Sequence, residues 1–395
     1  MRIDTIHSRS ILDTRGRPTV ETTLSSSAIT ASASVPSGKS TGSHEAVELR
    51  DEDGGMTRAI ESVNGEIARA LIGCDFNSLD DLDTFLIELD GTPNKSRLGA
   101  NAILSVSIAA MRLFAQSKNL PLWSAIAERA GTTPSAPWLY VNVMNGGVHA
   151  DFRLPFQEYI LVVEGRISTA LPIAHEIFAK LGEKLGKVPM GDEGGYAPIF
   201  DTLERPFEIL TSLIADYPNT FIAIDAAASE LLRDDSYELL GKEYTPMEFS
   251  RVYENLVAHF PLRSIEDPFA EDATSDFAKL TASLGRKIII IGDDLTVTNP
   301  ARIDSAISHK EINAVLIKPN QIGTVQETIL AVQKTHAARW KTIASHRSGE
   351  TDDTFIADFA YGVGTYGIKA GGLGQKERLE KYERLLTIER EAKNV

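Results

Sequence analysis

The sequence predicts an α/β protein in which an N-terminal α+β capping domain, residues 1–132, precedes a β/α barrel, residues 133–395. Two observations predict this order. Strand-like segments come first and helical segments follow up to about residue 130, whereas strand-like and helix-like segments alternate from there to the end. In the alternating part, charged residues end short apolar runs at intervals typical of strand–helix repeats.

The capping domain is predicted from its local patterns. Residues 17–25 and 28–36 are strand-like, and the second of these segments ends at Pro36. Helical periodicity follows, and the segment 98–119 has an apolar face too broad for a helix on the surface. Residues 130–137, rich in Thr, Pro and Gly, are the best candidate for the linker to the barrel.

The strand ends of the barrel carry the chemistry. A charge at the end of an apolar strand is costly unless it faces a polar cavity or a cation, and the C-terminal strand ends of a barrel meet at one mouth. The residues concerned are Asp225, Glu266, Asp293, Lys318, His346 and Lys369. Carboxylates and lysines at one mouth indicate metal-assisted chemistry on an anionic substrate.

Three of these residues suit a hard cation. Asp225, Glu266 and Asp293 offer oxygen ligands, which Mg²⁺ prefers, and no Cys/His cluster competes. Each carboxylate alone is more often a helix cap or a loop residue than a metal ligand, but three consecutive strand ends favour a metal site. By strand alternation, the neighbouring Asp267 and Asp294 should point elsewhere and support the ligands.

Lys318 precedes a proline that prevents the strand from continuing. The lysine could simply pair with a carboxylate. Nearby cations would instead favour its neutral form and make it a usable base.

Further loops carry candidate binding groups. Arg347 and Ser348, next to His346, are suitable ligands for a phosphate. Glu193 lies between glycines that allow close approach to a ligand, although a plain acidic turn is the alternative. His149 on a glycine loop and Glu158 at a strand start are weak signals individually.

The loop around Gly38 allows two interpretations. Residues 33–40 satisfy a relaxed phosphate-loop pattern, which would make the chain a nucleotide-binding protein. However, Ala33 replaces the first glycine, Pro36 lacks an amide proton, and no suitable aspartate strand follows. A mobile loop that carries Ser40 to a phosphate or a metal is the better interpretation.

Composition limits the partners. The net charge of −15 argues against nucleic acid, and no apolar run approaches the roughly 20 residues of a membrane span. The N-terminal residues lack the apolar stretch of a signal peptide, and Cys74 is the only cysteine. We therefore expect no nucleic-acid or membrane partner and a cytoplasmic location.

Taken together, these segments closely resemble the enolase family over nearly the whole chain. The most specific segments are LDGTPNKSRLGANAILSVSIA, MGDEGGYAP, SIEDP, GDDLTVTNP, NQIGT and SHRSGETDDTFIAD. The resemblance implies an enolase-type ββαα(βα)6 barrel. It also implies Mg²⁺-dependent, reversible dehydration of 2-phosphoglycerate to phosphoenolpyruvate, with two Mg²⁺ per active site, the second arriving with the substrate.

The resemblance further implies a role for each matching residue. Asp225, Glu266 and Asp293 correspond to the ligands of the first Mg²⁺, and Ser40 to a serine that joins the second Mg²⁺ and the substrate. The remaining correspondences are Lys318 as the base, Glu193 as the acid with Glu158 as its partner, Arg347 and Ser348 for the phosphate, Lys369 for the carboxylate, and His149 and His346 around the substrate. Like-charge coupling between Glu158 and Glu193 is expected to keep Glu193 protonated.

The chain departs from the family pattern at several places. Lys39 stands where the family usually has alanine, and residues 370–378 lack a proline and an arginine of the family segment. These departures leave open a related enzyme acting on a phosphonate or phosphinate. The family forms dimers, some of them arranged as octamers, so we expect a homodimer or a higher oligomer, although Thr387 removes an ion pair with Glu21 that commonly supports the interface.

Overall fold

The structure is a computed structural model that describes residues 1–39 and 41–393. Its N-terminal part is an antiparallel sheet in the order β1-β2-β3 with helices packed on one face. The strands are β1 (Thr5–Leu12), β2 (Pro18–Ser26) and β3 (Ile29–Ser34). The helices are α1 (Thr57–Glu61), α2 (Ala68–Leu71), α3 (Leu79–Asp90), α4 (Ala100–Ser117) and α5 (Leu122–Ala130), with a π-helical turn at Ser62–Ile67.

Helix α4 is the core of this part, as its broad apolar face predicts. It packs against β2 and β3, and Ile103, Val106 and Ala110 are fully buried. Its few polar groups find partners, since the Ser105 hydroxyl lies 2.6 Å from that of Thr22 on β2. The close packing of α4 against β2 therefore leaves neither of these two buried hydroxyls without a hydrogen-bond partner.

The rest of the described chain forms a closed barrel in the order β10-β11-β12-β13-β14-β4-β5-β6, with a small sheet β7-β8-β9 beside it. The strands are β4 (Trp138–Asn145), β5 (Glu158–Val163), β6 (Thr220–Asp225), β7 (Leu232–Arg233), β8 (Ser236–Leu239), β9 (Lys242–Tyr244), β10 (Leu262–Glu266), β11 (Ile289–Gly292), β12 (Ala314–Ile317), β13 (Lys341–Ser345) and β14 (Gly367–Gly371). The helices are α6 (Ile167–Leu185), α7 (Arg205–Ile214), α8 (Pro246–His259), α9 (Thr274–Leu284), α10 (Pro300–His309), α11 (Pro319–Ile322), α12 (Val325–Ala337), α13 (Phe355–Val363) and α14 (Lys376–Glu391).

Strand directions confirm the predicted topology. β5 runs antiparallel to both β4 and β6, whereas the other barrel pairs are parallel. Two strands and two helices, β4-β5-α6-α7, therefore precede six strand–helix units, and the architecture is ββαα(βα)6. The predicted α/β fold with an N-terminal α+β cap is confirmed.

The barrel interior is filled by residues that alternate along the strands. This interior cluster consists of Tyr140, Ile160, Val162, Ala223, Ile289, Ile291, Ala314, Leu316 and Ile343. Since strand side chains have a period of two, the residue two positions beyond each inward residue also points inward. The cluster therefore fixes which residues at the strand ends face the mouth.

The cap reaches the barrel mouth through the segment that follows β3. Ser37 and Gly349 exchange backbone hydrogen bonds of 2.8 and 2.9 Å, which bring this segment beside the loop after β13. Arg112 of α4 donates to Asp353 of the same barrel loop at 2.6 Å. The cap is thus held over the C-terminal strand ends.

The phosphate-loop interpretation does not fit this context. A phosphate loop joins a strand directly to a helix whose N-terminus receives the phosphate. Here Ala33 lies in the antiparallel strand β3, and the first helix among the described residues begins only at Thr57. Within the same described part of the chain, no helix is both long enough and apolar enough to cross a membrane.

Candidate active site

The predicted strand-end residues meet at the mouth of the barrel. Asp225 ends β6, Glu266 ends β10, Asp293 follows β11 and Lys318 follows β12. Asp225, Asp293 and Lys318 each lie two positions beyond a member of the interior cluster, so strand alternation turns them inward. The apolar interior thus closes the barrel below, and the charged side chains form the floor of the site.

Lys369 of β14 joins the carboxylates of neighbouring strands. Its ammonium nitrogen lies 3.1 Å from an Asp225 oxygen, 2.8 Å from both oxygens of Glu266 and 3.1 Å from an oxygen of Glu158. All of these side chains are buried, so the charges interact with little screening by solvent. Burial lowers the pKa of Lys369, but the three carboxylates outweigh it and raise the pKa well above its ordinary value.

Lys318 forms a second buried ion pair, with Asp293. Burial raises the pKa of Asp293, but the Lys318 ammonium outweighs it and leaves the pKa below its ordinary value. Burial conversely lowers the pKa of Lys318, and Asp293 raises it to a net value above the ordinary one. The other Asp293 oxygen accepts a hydrogen bond of 2.9 Å from the Gln321 amide.

The donor set fits a hard divalent cation. Asp225 and Glu266 both contact the ammonium of Lys369. Burial, the charge of Asp225 and the charge of Asp293 raise the pKa of Glu266, so the three carboxylates lie close together. Among the described residues, the buried oxygens Glu158 Oε2 and Gln157 Oε1 accept no hydrogen bond, although Gln157 donates to Asp225 at 3.3 Å. Oxygens of this kind are the ligands that Mg²⁺ prefers.

Glu193 occupies a buried position between two histidines. Its Oε1 lies 3.3 Å from Nδ1 of His149 and 3.9 Å from Nε2 of His346. Its Oε2 accepts hydrogen bonds from the side-chain amides of Asn142, at 2.9 Å, and Asn145, at 3.4 Å. These neighbours rule out a plain acidic turn, because each of them aims a ring nitrogen or an amide at the carboxylate.

The groups around Glu193 and Glu158 act on the pKa values of the two carboxyls in opposite directions. Burial raises the pKa of Glu193, but His149 and His346 outweigh it and bring the pKa well below its ordinary value. Burial and the charge of Glu193 raise the pKa of Glu158 well above its ordinary value, against the opposing effect of Lys369. The coupling between the two carboxyls is as expected, whereas the histidines that flank Glu193 favour its charged form.

The candidate phosphate ligands lie under the loop from the cap. The Arg347 guanidinium donates to Glu45 at 2.8 and 3.1 Å, and to the Asn320 side chain at 3.1 Å. The Ser348 hydroxyl accepts hydrogen bonds from the Lys39 amide at 2.8 Å and from Arg15 at 3.2 Å. A phosphate at Arg347 would compete with the Glu45 carboxylate for the guanidinium.

The two predicted support residues, Asp267 and Asp294, both lie at the site. Asp267 accepts hydrogen bonds from the amides of Asp293, at 2.9 Å, and Asp294, at 2.8 Å, and so shapes the loop as a supporting residue should. Neither Asp267 nor Asp294 points away from the site as predicted, because both line the same cavity as Asp293. Burial and the Asp293 charge raise the pKa of Asp294 to about 8.

Sequence reasoning missed Arg378 on α14. Its guanidinium is fully buried and donates to Nδ1 of His346, to the Ser348 carbonyl at 2.9 Å and to the Asp192 carbonyl at 3.1 Å. It therefore holds the loop after β13 and the loop of Glu193 together from behind. The predicted ligand Ser40 lies outside the described residues.

Comparison with known proteins gives consistent results along the chain. Residues 3–126 match the family model described as enolase, N-terminal domain, and residues 134–395 match enolase, C-terminal TIM barrel domain. Three relatives named enolase align over 98% of this chain. They come from Ehrlichia canis (41% identical, 96% of the relative covered), Acidothermus cellulolyticus (43%, 94%) and Anaplasma phagocytophilum (44%, 94%).

Proposed function

The chain belongs to the enolase family, and we propose that Lys318 and Glu193 are the base and the acid of its reaction. Its activity is that of a phosphopyruvate hydratase, a lyase of glycolysis that interconverts 2-phosphoglycerate and phosphoenolpyruvate. The observation that carries the proposal is the buried ion pair of Lys318 with Asp293 at the barrel mouth. Residue roles, metal identity and assembly are parts of the same proposal.

Lys318 takes the proton from C2 of the substrate. That proton is weakly acidic, because its removal places a second negative charge on the carboxylate. The Asp293 carboxylate stabilises the ammonium form of Lys318, so any ligand that takes up the charge of Asp293 lowers the pKa of the lysine. Alternation along β12 supports this role, since Lys318 shares the inward face with Leu316.

Divalent metal is the cofactor implied by the family, and we propose Mg²⁺, two ions per active site. Asp225, Glu266 and Asp293 would hold the first, and Ser40, with the substrate, the second. When bound, the two cations stabilise the negative charge that builds up on the substrate carboxylate. The unpartnered buried oxygens beside Asp225 support an oxygen-liganded ion here.

Glu193 and Glu158 together manage the proton for the leaving C3 hydroxyl. Hydroxide is a poor leaving group, so an acid has to protonate it as it departs. A ring nitrogen of His149 and one carboxylate oxygen each of Glu158 and Glu193 lie within 4.8 Å of one another, so one proton can pass between the carboxyls. Glu158 stores that proton, and Glu193 delivers it to the hydroxyl.

Cationic side chains bind the anionic groups of the substrate. Lys369 binds the carboxylate, and Arg347 with Ser348 binds the phosphate. His149 and His346 enclose the reacting carbons from the side of Glu193. The Lys39 ammonium contacts Asp192 and the Val148 carbonyl, and only the backbone amide of Lys39 reaches a binding group, Ser348; this weakens the case for a phosphonate or phosphinate substrate.

The remaining features of the proposal concern organisation. We place the domain boundary between residues 132 and 133, in the segment before β4. A homodimer or a higher oligomer and a cytoplasmic location are proposed from family membership. In the structure Glu21 pairs with Arg9 of its own chain at 2.6 Å. Light scattering after gel filtration measures the mass of the assembly and so tests this part of the proposal.

The test is a turnover assay with 2-phosphoglycerate and Mg²⁺, in which the ultraviolet absorbance of the enol product is measured over time. EDTA and Lys318→Met are each expected to abolish the signal, the substitution by a factor of about 10²–10⁴ or more. Lys334→Met removes a lysine of α12 that pairs with Asp304 of α10; it is the matched control and should keep wild-type turnover. Unchanged turnover in Lys318→Met would overturn the role of the base.

A further inference from the structure

Lys39 connects the cap segment after β3 with two loops of the barrel. Its ammonium donates a hydrogen bond of 2.8 Å to Oδ2 of Asp192 and another of 2.8 Å to the carbonyl of Val148. Its backbone amide donates to the Ser348 hydroxyl, also at 2.8 Å. One residue thus touches the loops after β4, before α7 and after β13.

The contacted residues stand next to the proposed reacting groups. Val148 precedes His149, and Asp192 precedes Glu193. The Asp192 amide donates to the His149 carbonyl at 3.1 Å, so the two loops are also joined to each other.

Asp192 is fixed from the barrel side as well. Its carbonyl accepts hydrogen bonds of 3.1 Å from both Gln375 and Arg378. The position of Asp192 is therefore set by the barrel. The ammonium of Lys39 joins the cap segment to this residue.

We infer that Lys39 is a positioning residue that holds the segment 37–39 over the barrel mouth through its ion pair with Asp192. This inference rests on the proposed function. The segment carries the amide that binds Ser348, and Gly38 lies so close to Arg347 that an added Cβ would meet the guanidinium at 2.0 Å. Lys39 therefore determines the fraction of molecules in which the segment 37–39 is correctly placed beside Arg347 and Ser348.

The size of the effect follows from the exposure of the pair. The side chains of Lys39 and Asp192 are 35% and 31% exposed, so the pair is half-buried and open to salt. When only a fraction of the molecules is assembled for binding, the apparent affinity falls by that fraction. Loss of the ion pair is thus expected to raise KM about fivefold, with kcat changed less than about twofold.

A simpler role for Lys39 is long-range attraction of the anionic substrate. This alternative also predicts a higher KM without the lysine. The two roles differ at Asp192, because its removal takes away a negative charge. Attraction alone predicts a lower KM for Asp192→Asn, whereas positioning predicts a higher one.

The experiment is a double-mutant cycle on the full chain with Lys39→Met, Asp192→Asn and the double variant. Positioning predicts that each single variant raises KM about fivefold and that the double variant is no worse than either. Lys39→Arg should retain a KM within about twofold of wild type. The differences should shrink at high ionic strength, and the thermal midpoints should stay within about 2 °C of wild type.

Other outcomes overturn the inference. These are additive effects in the cycle, a lower KM in Asp192→Asn, or a fall in kcat at unchanged KM. Lys118→Met, which breaks the exposed pair with Glu128, is the control and should match wild type. If wild-type protein turns over 2-phosphoglycerate and Lys39→Met has the same KM, positioning alone fails; if wild-type protein shows no turnover, the proposed function fails.

Discussion

The ammonium of Lys369 lies 2.8 Å from both carboxylate oxygens of Glu266, inside the barrel mouth. The same ammonium contacts Asp225 and Glu158, so one positive charge offsets three buried carboxyls. Removing one partner of a buried ion pair is strongly destabilising, because the remaining charge is left uncompensated. A cation bound between these carboxylates can supply the missing charge.

Lys369→Met is therefore expected to make stability depend on divalent metal. In EDTA the variant should lose about 3–5 kcal/mol of unfolding free energy, seen as a thermal midpoint lower by about 4–6 °C. Millimolar Mg²⁺ should restore more of the midpoint in the variant than it adds to wild type. Lys334→Met serves as the control, and equal midpoints of Lys369→Met and wild type in EDTA would contradict this account.

Glu158→Gln tests where the shared proton resides. Burial and the charge of Glu193 raise the pKa of Glu158 well above its ordinary value and so favour its neutral form, which glutamine resembles closely. The variant should unfold in urea within about 1 kcal/mol of wild type. Its kcat should nevertheless fall by a factor of about 10²–10⁴, because the amide cannot supply the proton.

Another result would place the proton elsewhere. Destabilisation of several kcal/mol at pH 7 would mean that Glu158 is a carboxylate whose charge Lys369 needs. Wild-type turnover in a stable Glu158→Gln would remove the residue from the reaction.

The sequence predicted the barrel and its charged floor, because both depend on patterns with a fixed period. Asp293 and Lys318 follow apolar strands directly, and alternation then decides which way they point. Asn142 and Gln157 were missed because a neutral amide at a strand gives no chemical signal until its partner is known. The pKa directions of Glu158 and Glu193 also depend on His149 and His346, and only the fold brings both rings against Glu193.

Arg378 was missed for a different reason. It lies in a segment crowded with charges, where a solvated helix face is the natural prediction. Its complete burial results from the packing of α14 against β14 and from partners on two other loops. The small sheet β7-β8-β9 was missed as well, because its strands are short and polar and have a weak β-propensity.

Arg378→Met should disturb the site and not only the fold. The guanidinium holds His346 and the Ser348 carbonyl, so kcat/KM is expected to fall at least tenfold in protein that remains folded. Burial lowers the pKa of His346 and Arg378 lowers it further, against Glu193, so the histidine should titrate at higher pH in the variant. NMR of the ring protons measures this shift.

Arg384→Met on the same helix provides the matched control. Arg384 pairs with Asp358 at 2.6 Å and with Glu391 at 2.9 Å, so its loss should reduce stability while the folded protein keeps its kinetics. Equal kinetic losses in both variants would reduce Arg378 to a structural residue of α14.

The contact between Arg112 and Asp353 is expected to hold the cap on the barrel in a pH-dependent manner. Asp353 receives two guanidinium hydrogen bonds of 2.6 Å and further ones from the amides of Ser34, at 3.0 Å, and Phe355, at 2.8 Å. Burial raises the pKa of Asp353, but Arg112 outweighs it and the net pKa is lowered. The stabilisation is therefore present above the ordinary carboxyl pKa of about 3.9 and is lost as the pH falls through the lowered value.

Asp353→Asn should consequently cost about 3 kcal/mol of unfolding free energy at pH 7, because Arg112 stays largely buried without its counter-charge. The difference from wild type should stay constant from pH 7 down to about 4 and narrow below that, since the unfolded chain takes up the proton there and the native side chain only at its lowered pKa. Urea unfolding across this range measures both values. The control is Glu128→Gln at the exposed pair with Lys118, whose unfolding free energy should differ from wild type by less than about 1 kcal/mol at every pH. A difference for Asp353→Asn that does not change with pH would show that the charge of Asp353 does not hold the cap.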